Sequence, residues 1–93
     1  MRTFAIYRIL LPNGKSFIGK TNRGVRRIVE EHLTKSFLSR LSIALRNCEG
    51  KYRVVVLEMG IKDLELATSK EADWIAHFNT SSLQHGYNSK RAA

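Results

Sequence analysis

What is scarce in this chain removes most function classes before any motif is read. A single cysteine, Cys48, among 93 residues excludes an internal disulfide. With only three scattered histidines beside it, Cys48 cannot build a zinc site. Its expected place is that of a small buried or half-buried apolar residue in a reducing compartment. No stretch approaches the roughly 20 apolar residues that span a bilayer. The chain opens directly in a strand-like pattern, without the charged region, apolar core and cleavage site of a signal peptide. The expectation is therefore a soluble, cytoplasmic protein. Long basic runs are also missing, which disfavours a membrane-surface or tail-type binder. Acidic residues are few, eight against sixteen Lys and Arg, for a formal charge of +8. That imbalance adds self-repulsion on folding and points to a polyanionic partner. A hydrophobic content of 43% suffices for the one modest core that a chain of this size can bury, so a single domain over residues 1–93 is expected.

Residues 3–11 are rich in β-formers and run into Pro12, Asn13, Gly14 and Lys15, after which SFIGKT reads as a second strand of a hairpin. Loop length decides which side chains share a face. A two-residue Asn-Gly loop sets Tyr7 opposite Lys20, with Phe17 on the other face. A three-residue loop, with Pro12 pre-set for a type I turn and Gly14 left-handed in a bulge, sets Tyr7 opposite Gly19 and diagonal to Phe17. The proline favours the second register. Val25, Ile28, Val29 and Leu33 follow helical periodicity and leave Arg26, Arg27, Glu30 and Glu31 outward. A second helix fits roughly 37–47, with Phe37, Leu38, Leu41, Ala44 and Leu45 on one stripe and Glu49 and Gly50 ending it. Residues 51–58 read as a third strand whose Val-Val-Val-Leu run suggests a central position buried on both sides. Residues 59–68 read as a connector, and a last helix at roughly 69–79 carries Ala72, Ile75, Ala76 and Phe78 around Trp74. The order β-β-α-α-β-α predicts an α+β fold, a small three-stranded antiparallel sheet flanked by helices.

Glu71 has two open roles. Thr68 and Glu71 have the spacing of a capping box at a helix start. A carboxylate in a basic chain can equally hold Mg²⁺ against a phosphate, with water filling the other positions. Tyr7 can be a buried strand aromatic, or a general base if a cation such as Lys20 favours its phenolate. Arg26 and Arg27 form either a solvated helix face or a guanidinium fork for phosphate oxygens. His32, on the same stretch, could contact phosphate, although a lone helical histidine beside Glu31 is more often a surface residue. Trp74 reads as core.

Taken in order, these residues resemble a GIY-YIG nuclease domain, the module of phage homing endonucleases and of the bacterial excision-repair incision subunit. Ala5-Ile6-Tyr7 stands for the first motif and Phe17-Ile18-Gly19-Lys20 for the second. Arg27 falls eight residues beyond Gly19, where the family has its catalytic arginine. Glu71 precedes Trp74 and Ile75 as the family's metal-binding glutamate does, and Gly86-Tyr87-Asn88 closes the pattern. The resemblance implies a divalent-metal-dependent endonuclease using Mg²⁺ or Mn²⁺. In it Tyr7 is the base, Lys20 its supporting cation, Arg27 the phosphate clamp and Glu71 the metal ligand. Arg23, Arg26 and His32 are expected to contact nucleic acid, and Phe17, Gly19 and Asn88 to support the site. The implied substrate is double-stranded DNA cut to leave a 5′-phosphate, with a homodimer or a partner supplying specificity. Phosphate contacts alone do not separate DNA from RNA. Ala5 stands for the family glycine and Phe17 for the family tyrosine. The loss of that hydroxyl keeps a second reading open, a catalytically weak or inactive nucleic-acid-binding module on the same fold.

Overall fold

The computed structural model describes residues 3–24, 27, 30 and 40–88. Strand β1 (Phe4–Leu10) and strand β2 (Ser16–Thr21) form the expected hairpin. The Gly14 amide donates to the Leu11 carbonyl at 3.0 Å, and Gly14 itself has φ +84°. This is the three-residue bulged loop that Pro12 favours, and it puts Tyr7 opposite Gly19 and Ile9 opposite Phe17. Helix α1 (Arg40–Asn47) follows, then strand β3 (Arg53–Ile61) and helix α2 (Leu64–Phe78). Arg27 and Glu30 are helical and exposed. The rest of the expected first helix, including Arg26 and His32, lies outside the described residues, as do Phe37 and Leu38 of the second.

The sheet is antiparallel in the order β2-β1-β3, so the α+β expectation holds but the position of β3 does not. The central, two-side-buried strand is β1; β3 is an edge. Val55 and Val56, which point to opposite faces, are both exposed (41% and 47%). A run of β-branched residues reports strand propensity without saying which strand is covered. β3 also continues past its expected end at residue 58. Gly60 takes φ +74°, and the pairing with β1 shifts register twice nearby, so a bulge absorbs the glycine that would otherwise stop the strand.

The core lies on both faces of β1. On one face Tyr7, Ile9 and Leu11 pack with Leu41 and Leu45 of α1. On the other, Ile6 and Ile18 pack with Ile61, Ala67 and Ile75, the last two from α2. α2 starts at Leu64, earlier than expected. Asp63 is its N-cap, accepting from the Glu65 amide at 3.0 Å. The connector read at 59–68 is therefore strand, cap and helix, and Thr68 sits inside α2. The inward stripe runs through Ala67, Glu71, Trp74, Ile75 and Phe78, while Ala72 and Ala76, expected on it, are exposed. Alanine fits either side of a helix, so its placement carries little signal. The expected half-buried Cys48 is found so, its thiol reaching the Leu45 carbonyl at 3.3 Å.

Candidate active site

The early start of α2 decides what Glu71 is for. With Asp63 capping the helix, Glu71 is not a capping-box residue; it stands two turns in, on the stripe that packs against the sheet. A carboxylate there needs a charged partner, and it has one: Lys20 Nζ lies 3.0 Å from Glu71 Oε1. Lys20 pairs across the hairpin with Ile6, which places it on the α2 face, so the ammonium meets the carboxylate.

Tyr7 arrives from the other face. It is 3% exposed, and its ring lies over Gly19, where a Cβ would collide with the phenol carbon and oxygen. Gly19 is thus required for the space it leaves: any side chain there would displace the phenol. Phe17 stands beside Tyr7, ring centroids 6.2 Å apart. Tyr7, Phe17, Gly19, Lys20, Arg23 and Glu71 all line one open cleft of about 300 Å³, along with Phe4, Thr21 and Asn22.

The far side of β2 is closed by the chain's last described turn. The Ser16 amide donates to the His85 carbonyl and the Tyr87 amide to the Ser16 carbonyl. The buried Asn88 side chain then takes both backbone groups of Ile18: it accepts from the amide at 2.9 Å and donates to the carbonyl at 2.8 Å. An asparagine amide carries one acceptor and donors in the geometry of a peptide, so it replaces a neighbouring strand and fixes β2 one residue before Gly19. Gly86 is again a matter of space, its Cα against Thr80.

Six of the expected site residues, Tyr7, Phe17, Gly19, Lys20, Arg23 and Glu71, are therefore brought together, and Asn88 braces them. Arg27 is exposed and is not among the described residues lining the cleft; Arg26 and His32 lie outside the described residues. Trp74 is half-buried and stacked on Phe78, as a core residue. No sequence pattern points to Phe4, Thr21 and Asn22, because only the strand-end geometry brings them to the rim. Among the described residues no group of three or more His, Cys, Asp or Glu converges as a metal cage.

No protein-family model matches the chain, and no curated protein matches it in sequence. A solved structure does: the catalytic domain of the intron endonuclease I-TevI, determined as a mutant, superposes with a TM-score of 0.73 over 95% of this chain and 93% of that domain. The fold is the GIY-YIG fold. At 21% identity the likeness rests on architecture. Within the GIY-YIG fold, the cleft lies where the hairpin, its strand β2 and helix α2 meet.

Proposed function

We propose that this chain is a single-domain, divalent-metal-dependent endonuclease that hydrolyses DNA phosphodiester bonds and leaves a 5′-phosphate, acting inside the cell. The observation that carries the reading is the meeting of the Tyr7 phenol and the Glu71 carboxylate in one cleft bordered by Lys20 and Arg23. The solved nuclease domain of like fold supports it, as does the charge of +8.

Glu71 suits Mg²⁺ or Mn²⁺. It is one hard oxygen donor in an open cleft, and Mg²⁺ is habitually held by one or two carboxylates plus waters and substrate phosphate. When bound, the ion supplies positive charge at the leaving oxygen. Glu71 would hold the ion, and Lys20, now paired with Glu71 at 3.0 Å, would then be free to support the Tyr7 oxygen or a phosphate. Tyr7 takes a proton from the attacking water; the water oxygen bonds to phosphorus as the bond to the 3′ oxygen breaks, and that oxygen takes a proton from solvent. Arg27, exposed and outside the described lining of the cleft, would clamp the phosphate from beyond that lining and stabilise the added charge. Arg23, with Arg26 and His32, contacts the flanking backbone. Duplex DNA is the expected substrate. A second copy or a partner would set whether one strand or both are cut.

The test is plasmid nicking with Mg²⁺ or Mn²⁺ against chelator, followed by ligation of the nicks without kinase treatment. Nicks that need the ion and are directly ligatable are expected. Metal-independent nicking, or DNA binding that never nicks, would overturn the reading.

A further inference from the structure

A second cavity, of about 640 Å³, shares no described lining residue with the catalytic cleft. It lies between the hairpin loop, one side of α1 with the turn after it, and the segment that seals β2. Three cations converge there, Lys15, Arg40 and Lys51, against one carboxylate, Glu49. At its wall stands Tyr87, half-buried, its hydroxyl accepting from Asn13 Nδ2 at 2.8 Å. The Arg40 guanidinium is 5.0 Å and the Lys15 ammonium 5.8 Å from the Tyr87 ring centroid. Like charges gathered around a held aromatic ring repel one another unless an anion joins them. A ring fixed between cations is the chemistry that receives a nucleic-acid backbone, phosphates to the cations and a sugar against the ring.

Its position fits the same substrate. Lys15 immediately precedes β2, and Lys20 of the cleft lies five residues on, so their backbone positions are about 16 Å apart along the strand. Along the duplex axis, at 3.4 Å rise per base pair, this is about five base pairs. Phe17, a wall of the cleft, packs into the same apolar cluster as Tyr87, so a wall of the cleft and a wall of the groove meet in one cluster.

We propose that this groove is a second backbone-binding site, holding the DNA backbone about five base pairs along the duplex axis from the scissile phosphate and setting how the duplex lies in the cleft. The proposal takes its substrate from the nuclease reading, and its test does not need cleavage. Binding of a labelled duplex of about two turns is measured in chelator between about 50 and 200 mM salt. Wild type is compared with Lys15→Ala/Lys51→Ala and with a charge-matched control, Arg53→Ala/Lys62→Ala, at exposed positions outside both sites. The backbone bonds of the hairpin loop do not depend on the Lys15 side chain. Each lost phosphate contact lowers the slope of log K against log salt by about 0.9, so the groove variant should lose about 1.8 and the control nothing. Equal slopes in groove variant and control would overturn the groove. In the nicking assay the groove variant should raise KM several-fold with kcat unchanged; a fall in kcat alone would contradict a binding role. A protein that shows the slope difference yet never nicks would leave the groove standing while ending the nuclease reading.

Discussion

Gly19 carries no chemistry of its own, yet the site depends on it. Because the Tyr7 phenol occupies the space where a Cβ would stand, Gly19→Ala forces the ring aside. Overpacking of this kind destabilises by about 1–3 kcal/mol, so the variant should still fold by circular dichroism, melt several degrees lower and lose nicking by two orders of magnitude or more. Phe17 gives the opposite prediction. Its ring already lines the cleft beside Tyr7, so Phe17→Tyr adds a hydroxyl at the rim with little repacking and should raise the single-turnover nicking rate by about tenfold, roughly 1.4 kcal/mol of barrier. An unchanged rate would mean that the hydroxyl has no part in this chain's site. At this scale the sequence is informative where a residue is singular: Tyr7 opposite Gly19 follows from Pro12 and Gly14. It is ambiguous for Glu71, because a carboxylate three residues after a threonine has the capping spacing wherever it falls.

That ambiguity is resolved by helix α2 as an element. Asp63 followed by Leu64, Glu65, Leu66 and Ala67 offers a stronger N-cap and a run of good helix formers, which the glycine at 60 obscures. Asp63→Ala should therefore lower stability in urea by about 1 kcal/mol, whereas Thr68→Ala, a helix-interior change, should stay within about 0.5 kcal/mol. Reversal of those two values would restore the capping role to Thr68 and Glu71. Strand β2 gives a parallel case. Its outer edge is held by Asn88, whose two bonds to Ile18 are buried. Asn88→Ala leaves both backbone groups without a partner, at about 1–3 kcal/mol each, and should loosen hydrogen exchange across residues 16–21 more than across β3. Hairpin and helix are legible from local pattern. Strand order is not: β3 reads as central because its valines signal a strand, while coverage depends on which helices reach which face.

Across the whole molecule, the positive charge evident in the composition is distributed so that Lys20 and Arg23 rim the cleft while Lys15, Arg40 and Lys51 ring the groove. Four phosphate contacts among them would weaken duplex binding by about 10²-fold between 50 and 200 mM salt, which a filter or anisotropy titration reads directly. In the proposed reaction a phenol from β1 and a carboxylate from α2 act together at one place. The measurement that tests it is a double-mutant cycle on the single-turnover nicking rate in Mg²⁺, using Tyr7→Phe, Glu71→Gln and the two combined, with each variant's fold checked by circular dichroism. Groups acting as a unit are non-additive. Each single variant should fall nearly as far as the double. Losses that simply multiply, or nicking that survives Glu71→Gln, would contradict it.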